Sequence, residues 1–381
     1  MFIFIFATRY PNVDNVQGNI FVHEQCLVLK EMGHEVVVLE EKLEVPQHWN
    51  KREIGNIIQR DWGGIRVYSH YSRGIATSRL LLLNQRIFVR GMRKLYKYVI
   101  QREGRPDVIY AHFASRAGVS ACFVGNEYGV PVVTIEHGGL VMENKHIAFL
   151  KKWLNFVVSN SKVFICVSEA QKKCIEKLIG VREKIKVVPN MVDKRFTYKA
   201  KPKSPTFIIF SAGNLIRGKC MDLLISAFDD AFQTFDDVEL RIAGEGKERK
   251  LLEKIIAEKQ LGNKVKLLGR LNRQQMLDEY TKCSVFAMAS NHESFGIVYR
   301  EALCVGRPVV STDNGGIWEG WDDSFGIIVP KDNLKELSQA LRKAYLNYDR
   351  FDLFSISQKC LVNTSPSNVM GKIEKELKNA M

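Results

Sequence analysis

The chain has 381 residues, 46% of them hydrophobic, and a formal net charge of +14 at pH 7. This length exceeds one ordinary α/β domain and provides enough apolar material for two cores, so we expect two domains. No run reaches the roughly 18 continuous apolar residues of a membrane-spanning helix. The opening residues 1–7 are too few for a signal peptide and lack its charged start, so we read them as a first strand.

Cysteine usage indicates a reducing compartment. The eight cysteines form no Cys-x-x-Cys pair and lie mostly in apolar or helical runs, as reduced core cysteines do. We therefore expect a cytoplasmic protein.

Short apolar runs alternate with amphipathic segments along the chain. Predicted strands of the first half lie at 2–6, 35–39, 107–111, 131–135, 163–167 and 185–188. Those of the second half lie at 207–210, 239–243, 265–268, 284–288, 308–311 and 326–329. Amphipathic helix candidates lie between them, for example at 20–32, 221–232, 248–259 and 334–345. This alternation predicts two doubly wound α/β halves.

A basic segment with two prolines divides the halves. Residues 193–205 have no apolar period and are typical of an interdomain linker. We therefore predict a first domain over 1–192 and a second over 206–350. A helical but weakly apolar tail follows at 351–381.

The most informative stretch is 291–310, between two predicted strands of the second half. A loop that leaves a parallel strand and enters a helix presents unpaired N–H groups and the positive end of the helix dipole, which suits a phosphate. Gly296 lets the backbone approach that phosphate closely. Glu293 lies in the loop and Glu301 about two turns into the helix, so the carboxylates address different ends of an extended ligand. The stretch predicts a pocket for a nucleotide sugar.

The pattern resembles the signature of the glycosyltransferase family 4 enzymes. The matching residues are Glu293, Phe295, Gly296, Glu301, Gly306, Pro308, Val309 and Val310, followed by a Gly-Gly-x-x-Glu at Gly315, Gly316 and Glu319. The resemblance implies an α/β GT-B fold, in which two Rossmann-like domains face a cleft and the C-terminal tail crosses back to the first domain. It also implies a retaining transfer from a nucleotide diphosphate sugar, with the acceptor bound by the first domain.

Two cations near a helix start in the second half suit a leaving diphosphate. The family has an arginine and, five residues later, a lysine on the donor phosphates. Lys219 matches that lysine, whereas Asn214 stands where the arginine is expected. Arg217 is the candidate for the missing charge, with a solvent-facing side chain as the alternative. Gly244 resembles the family's Gly-x-Gly turn, or is an ordinary strand-to-helix turn, and Leu271 lies in the segment that resembles the base pocket.

The first half contributes a glycine and a histidine by the same resemblance. Gly18 lies where the family has a glycine-rich loop close to the transferred sugar. His112 and His137 each follow a predicted strand, at the edge where α/β sites form. His137 resembles the histidine that meets the donor sugar and ranks above His112. A packed or hydrogen-bonded imidazole is the alternative for both.

The resemblance therefore assigns catalytic roles to His137, Lys219 and Glu293. It assigns donor binding to Gly18, Asn214, Arg217, Lys219, Gly244, Leu271, Glu293, Phe295, Gly296, Ile297 and Glu301. Glu293 would hold the sugar hydroxyls and Glu301 the nucleotide ribose. The sequence shows no Asp and His cluster at metal-ligand spacing, so we expect a metal-independent reaction without a cofactor. UDP is a more frequent donor nucleotide in the family than GDP.

A basic stretch at 79–105 combines eight arginines and lysines with apolar residues. It predicts a basic amphipathic helix that contacts an anionic membrane as a peripheral protein, with a solvated surface helix as the alternative. The membrane reading favours a lipid-linked sugar or glycolipid acceptor, as in polysaccharide, lipopolysaccharide or capsule synthesis.

Two other functions remain open at this point. A sugar-nucleotide epimerase of the same architecture would act on the donor alone. A nucleic-acid-binding protein would use the positive charge, yet it would interleave aromatic with basic residues and would not need a phosphate loop that carries glutamates. We therefore do not expect nucleic acid as a partner.

Overall fold

The computed structural model describes residues 1–13, 15–16, 18–44, 46, 54–75, 81–139 and 147–381. The chain divides into two compact units. One comprises Met1–Val188 with Val369–Met381, and the other comprises Pro189–Asn368. Each unit has its own cluster of buried apolar side chains, as the length and composition predict.

The first unit contains an eight-stranded sheet with helices. Its elements are β1 (Phe2–Ala7), α1 (Ile20–Glu31), β2 (Glu35–Glu44), β3 (Ile57–Trp62), β4 (Ile65–Arg73), α2 (Leu81–Glu103), β5 (Val108–His112), α3 (Val119–Tyr128), β6 (Val132–Glu136), α4 (Ile147–Asn160), β7 (Val163–Cys166), α5 (Glu169–Ile179) and β8 (Ile185–Val187). The strand order is β3-β4-β2-β1-β5-β6-β7-β8. All neighbours are parallel except β3 and β4, which form an antiparallel hairpin.

The hairpin of β3 and β4 is absent from the elements predicted above. A sequence signal for it exists, because Gly63 and Gly64 separate two runs rich in apolar and aromatic residues. Both glycines have positive φ, 59° and 81°, as a two-residue hairpin turn of the favoured hand requires. The hairpin extends the sheet beyond β2 and covers its edge.

The second unit contains a six-stranded sheet in which all neighbours are parallel. Its elements are β9 (Phe207–Ala212), α6 (Met221–Phe232), β10 (Val238–Ala243), α7 (Arg249–Glu258), β11 (Val265–Gly269), α8 (Arg273–Lys282), β12 (Val285–Met288), α9 (Ile297–Cys304), β13 (Val309–Thr312), β14 (Gly326–Val329), α10 (Leu334–Leu346), α11 (Leu353–Thr364) and the start of α12 (Pro366–Ala380). The strand order is β11-β10-β9-β12-β13-β14. The four buried residues of β12 and of β13 reflect a sheet covered on both faces.

The unit boundaries differ from those expected of the linker and the tail. Within 193–205, Phe196 is fully buried in the core of the second unit, and the Lys199 carbonyl accepts a 2.8 Å hydrogen bond from Arg307. The segment is thus packed, although its sequence is polar and basic. In the tail, α11 packs against α9 of the second unit, and the first unit takes up the chain only from Val369. In this last part of the tail, the Glu374 Oε1 atom lies 2.9 Å from the His34 Nε2 atom.

In both sheets the strand order reverses beside the first strand. The chain passes from β1 to β2 on one side, and later returns to β5 on the other side of β1. In the second sheet β10 and β12 flank β9 in the same way. Loops that leave two such neighbours diverge and open a crevice at the carboxyl edge, where α/β proteins bind ligands. The topology therefore favours one site after β1 and β5 and another after β9 and β12.

All eight cysteines are free, and all except Cys174 are buried, in agreement with the expected packed thiols. Within the described ranges, no helix combines the length and apolarity needed to cross a bilayer.

Candidate functional site

Lys219 and Glu293 meet at the crevice of the second sheet. Lys219 ends a short 3-10 turn that follows β9, and Glu293 lies in the loop that follows β12. The Lys219 Nζ and Glu293 Oε1 atoms are 2.5 Å apart, and the two side chains are 20% and 11% exposed. The Asn291 amide donates a 3.0 Å hydrogen bond to the Gly218 carbonyl, which joins the two loops. The structure thus brings together two residues that lie 74 positions apart.

Backbone hydrogen bonds hold the Glu293 loop to the loop that follows β13. The Glu293 amide donates to the Asn314 carbonyl, and the Gly316 amide donates to the Glu293 carbonyl, both at 3.1 Å. A Cβ atom on Gly316 would lie 2.6 Å from the Glu293 carbonyl oxygen. Gly316 is therefore needed for this close approach, which fixes the backbone that carries the Glu293 carboxylate.

The start of α9 provides backbone N–H groups beside the ion pair. Gly296 precedes the helix with a φ of 73°, and a Cβ atom there would overlap the ring of Tyr299. Among the described residues no side chain caps α9 at this position. Ile297 begins the helix, so its first turn retains the positive end of the dipole for an anion. Phe295 is 1% exposed, so its backbone, rather than its ring, faces any ligand.

Arg300 is a structural residue of this site that the sequence analysis missed. It is 1% exposed, and its Nη2 donates to the carbonyls of Gly316, Ile317 and Glu319 at 3.3, 2.7 and 2.6 Å. Its guanidinium also lies 5.3 Å from the Phe295 ring centroid. Burial lowers the pKa of Arg300. The sequence signal is weak, since an arginine in an eight-residue helix more often faces solvent.

A second missed cluster connects α9 to the end of β13. The Asn314 Nδ2 and the Ser311 hydroxyl donate to the Tyr299 hydroxyl at 2.9 and 3.1 Å. All three residues are buried, and burial raises the pKa of Tyr299. These bonds stabilise the helix start that carries Gly296.

Glu301 is less accessible than its predicted ribose contact suggests. It is 1% exposed, and its carboxylate accepts hydrogen bonds from Arg273 and, at 3.0 Å, from the Tyr280 hydroxyl. Burial, followed by the charge of Glu301, raises the pKa of Tyr280 well above its usual value. The Arg273 guanidinium stacks over Phe196 at 5.4 Å and is 16% exposed. A ribose hydroxyl would therefore reach Glu301 only if Arg273 moved.

The other donor-binding candidates occupy the loops of the same unit. Asn214 and Arg217 are exposed, and Leu271 is half-buried. Gly244 has a φ of 140°, and a Cβ atom there would overlap the Gly213 carbonyl oxygen. The close approach of the loops after β9 and β10 explains this glycine without any ligand. Donor contacts of these four residues remain predictions.

His137 and Gly18 belong to the first unit. The imidazoles of His137 and His112 stack with an interplanar angle of 4°, and their Nε2 and Nδ1 atoms are 3.0 Å apart. His112 is fully buried, and burial, followed by the charge of His137, lowers the pKa of His112 well below its usual value. The Phe21 ring packs on His137 at 4.7 Å. Gly18 lies in the turn just before α1, so both residues follow the carboxyl ends of strands in one sheet.

Glu136 was also missed, although it directly precedes His137. Its carboxylate accepts hydrogen bonds from the backbone amides of Ala114 at 2.8 Å and Gly138 at 2.5 Å. Burial raises the pKa of Glu136. The Gly138 carbonyl in turn accepts from Gln171 at 2.9 Å. These bonds hold the backbone on both sides of His137. No group of three His, Cys, Asp or Glu residues in the described part of the chain is arranged to hold a metal ion.

Two family models match adjoining parts of the chain. Glycosyltransferase Family 4 matches residues 18–196, and Glycosyl transferases group 1 matches residues 193–354. The matches therefore run without a gap from the loop before α1 to the start of α11.

Curated relatives include transferases from animals, fungi and archaea. The chain is 27% identical over 343 residues to the A subunit of the human phosphatidylinositol N-acetylglucosaminyltransferase, covering 88% of this chain and 66% of that protein. It is 25% identical over 353 residues to the GPI3 subunit of the Saccharomyces cerevisiae phosphatidylinositol N-acetylglucosaminyltransferase, covering 88% of this chain and 73% of that protein. An uncharacterized glycosyltransferase of Methanocaldococcus jannaschii is 27% identical over 249 residues, covering 65% of this chain and 68% of that protein. The chain thus spans about two thirds of the length of these proteins.

Solved structures match along the whole chain. The sucrose-phosphate synthase of Thermosynechococcus elongatus superimposes with a TM-score of 0.79 at 16% identity and covers 100% of both chains. The Anabaena HepE protein in complex with UDP and glucose gives a TM-score of 0.75 at 19% identity, again over 100% of both chains. At such identities the likeness concerns the fold. With both family models matched and this fold along its full length, the chain belongs to glycosyltransferase family 4 and is a glycosyltransferase of GT-B fold.

Proposed function

We propose that this glycosyltransferase transfers a sugar, with retention of configuration, from a nucleotide diphosphate sugar to a sugar or lipid-linked acceptor. The observation that carries the proposal is the Lys219–Glu293 pair beside the uncapped start of α9. It lies at the crevice of the second sheet, where an α/β fold binds its ligand. The Anabaena structure that contains UDP and glucose, and the human relative that is part of an N-acetylglucosaminyltransferase, support a sugar nucleotide with UDP as the expected nucleotide.

The Lys219–Glu293 pair can bind the groups on both sides of the bond that breaks, namely the diphosphate and the sugar. The Lys219 ammonium has three N–H donors, and one of them is used by Glu293. The other two can bind the oxygens of a diphosphate together with the first N–H groups of α9. The Glu293 carboxylate can accept hydrogen bonds from sugar hydroxyls. One cation and one helix start would thus stabilise the charge that develops on the leaving diphosphate, and a metal ion is not required.

Retention then follows if the acceptor attacks from the face that the diphosphate leaves. The bond between the anomeric carbon and the phosphate oxygen breaks, and the acceptor oxygen forms the new bond to that carbon. The acceptor proton passes to the departing phosphate oxygen. The products are the glycosylated acceptor and a nucleoside diphosphate. A double displacement through a covalent glycosyl-enzyme is the alternative, and trapping of a glycosylated protein would favour it.

We expect UDP-sugars to raise the melting temperature of the protein more than GDP-sugars do, because binding to the folded state alone stabilises it. The measurement is a thermal shift with a panel of sugar nucleotides at equal concentration. An unchanged melting temperature with every sugar nucleotide would contradict the proposal.

Product analysis after incubation with donor alone separates a transferase from a sugar-nucleotide epimerase, since an epimerase would convert the donor and a transferase would not.

We also propose that α2 holds the protein at the cytoplasmic face of an anionic membrane. The basic residues of α2 differ in their contacts: the Lys94 ammonium donates to the Gly55 carbonyl at 2.8 Å, and the Arg102 guanidinium lies 3.7 Å from the Tyr98 ring centroid. Arg93 pairs with Glu127, whereas Arg86, Arg90 and Lys97 are exposed and have no ion pair among the described residues. The opposite face of the helix is buried in the core of the first unit. Arg79, which begins the predicted stretch, lies outside the described residues.

Exchange of Arg86 and Arg90 for glutamine is expected to weaken binding to phosphatidylserine vesicles about 30-fold. Each basic residue near an anionic surface contributes about 1 kcal/mol, and 1.4 kcal/mol is a tenfold change. Vesicle co-sedimentation at two salt concentrations measures this. The matched control exchanges Lys250 and Lys335, two exposed lysines of the second unit, for glutamine. Equal losses in the two double variants would indicate a nonspecific charge effect and rule out α2 as the contact.

A further inference from the structure

A second crevice lies after β1 and β5, at the reversal point of the first sheet. It encloses a cavity of about 370 Å³, and two of the side chains that line it are Arg9 and Arg116. Arg9 follows β1, and Arg116 lies in a π-helical turn, Ala114–Gly118, that follows β5. The strand order favours a ligand site at this edge. The two arginines determine which ligand charge it accepts.

Both guanidinium groups lack a partner in the described part of the protein. Neither Arg9 nor Arg116 forms an ion pair or a side-chain hydrogen bond among the described residues. Arg116 is half-buried, and burial, followed by the charge of Arg9, lowers the pKa of Arg116. Arg9 and Arg116 have no carboxylate partner among the described residues and their charges oppose each other, so a bound anion would stabilise them.

A third side chain of the cavity provides independent support. Gln85, in the first turns of α2, is 2% exposed, and its Nε2 atom has no hydrogen-bond partner among the described residues. A buried donor without an acceptor costs about 1 to 3 kcal/mol, so it indicates a ligand that supplies the acceptor. Asn19, at the start of α1, also lines the cavity, and its amide donates to the Arg9 carbonyl at 3.3 Å. The polar side chains of this cavity are therefore mainly donors and cations, and they lie beside the apolar Leu81, Phe149 and Leu150.

The backbone that carries Arg116 is held in an unusual conformation. Phe113 has a φ of 74°, which is rare for a bulky residue, and it leads into the π-helical turn. The Gly118 amide closes the turn on the Phe113 carbonyl at 2.9 Å. Such strained segments occur preferentially at binding sites. In this protein the turn directs Ser115 and Arg116 to the cavity.

A smaller and more apolar cavity adjoins the first. It measures about 220 Å³ and shares Phe113, Ser115 and Leu150 with it, while Trp153 and Leu154 extend its apolar wall. Glu136 also lines it, and its carboxylate oxygens accept hydrogen bonds from two backbone amides. A ligand that fills both cavities would carry an anionic group beside an apolar group. This combination differs from a neutral sugar acceptor.

We propose that Arg9, Arg116 and Gln85 bind a phosphate group on the acceptor, which makes the acceptor of this transferase a phosphate ester. This assignment rests on the proposed function, because the phosphate ester can be called an acceptor only if the protein transfers a sugar to it. The shared chemistry is a phosphate, which a phospholipid headgroup or a water-soluble sugar phosphate can supply. The apolar cavity favours the lipid source.

The test is calorimetric titration of the full chain, without donor, using sn-glycerol 3-phosphate and a short-chain phosphatidic acid below its micelle concentration. We expect both to bind, and alanine at Arg9 or Arg116 to weaken binding at least tenfold. Tighter binding of phosphatidic acid assigns the site to a lipid phosphate, and equal binding assigns it to a soluble one. The matched control is Arg182→Ala, which removes an exposed arginine of the same unit and is expected to change nothing.

Gln85→Leu keeps the side-chain volume and removes the unpaired donor. We expect the variant to melt no lower than the parent protein and to bind glycerol phosphate about fivefold more weakly. Absence of binding by both phosphates, or an equal loss in Arg182→Ala, would overturn the proposal. The melting shift with UDP-sugars is recorded in parallel. Loss of this melting shift with retained phosphate binding would refute only the proposed transfer. Loss of phosphate binding with a retained melting shift would refute only the phosphate site.

Discussion

We expect replacement of Lys219 by alanine to lower kcat by roughly 100- to 1,000-fold, with a smaller change in KM. The physical reason is that the Lys219 ammonium, held beside Glu293 at 2.5 Å, is the side-chain cation that we assign to the departing diphosphate. Loss of one preorganised group at a developing charge costs about 3 to 4 kcal/mol. Steady-state rates with the donor identified by thermal shift, and release of the nucleoside diphosphate, measure this effect.

Arg217 provides the control for Lys219 because it lies on the same 3-10 turn and carries the same charge. It is exposed, and we find no ion pair for it among the described residues. The exposure of Arg217 favours the solvent-facing alternative over a contact with the donor phosphates, so Arg217→Ala is expected to reduce kcat by no more than about threefold. Equal losses in the two variants would mean that general positive charge, rather than the position of Lys219, supports the reaction.

We expect replacement of Arg273 by methionine to lower the free energy of unfolding by about 3 to 5 kcal/mol. The Glu301 carboxylate is 1% exposed, and among the described residues it would keep only the Tyr280 hydroxyl as a side-chain partner. A buried charge that loses its counter-ion is strongly destabilising, more so than the loss of the pair as a whole. The measurement is urea unfolding of the full chain.

Two further variants make the Arg273 result interpretable. The double variant Arg273→Met with Glu301→Gln removes both charges and is expected to recover part of the lost stability. Lys282→Met breaks a pair with Glu279 in which the lysine is 52% exposed, and it is expected to cost at most about 1 kcal/mol. A loss below about 1 kcal/mol for Arg273→Met would show that Glu301 is solvated and open to a ribose in the free protein.

Local sequence was sufficient to predict the position of Glu293 and Lys219. Each follows an apolar strand and precedes a helix, so its place at the carboxyl edge of a parallel sheet depends on neighbours in the sequence alone. The same reasoning placed Gly296 at a helix start and His137 after a strand. The predicted strands agree with β1, β2, β5 to β8 and β9 to β14 because their apolar runs are short and regularly spaced.

Local sequence was insufficient for Arg300, Glu136 and the β3–β4 hairpin. Arg300 and Glu136 are charged, and a charged side chain is normally exposed, so their burial depends on carbonyl and amide groups that distant loops provide. The hairpin follows a stretch that includes residues outside the described part of the chain. Its strands mix polar and apolar residues because only some of their positions are buried.

The sequence by itself determined the α/β class, the two halves, the glycosyltransferase signature and the ends of the strands that carry Lys219, Glu293 and His137. Only the tertiary structure decided which strands are neighbours, since strand order depends on long-range pairing that apolar periodicity does not encode. That order placed Lys219 against Glu293, and it brought Arg9 and Arg116 to one crevice, where neither pairs with a carboxylate of the described residues. It also buried Glu301 against Arg273, because the accessibility of a side chain is set by the elements that pack around it.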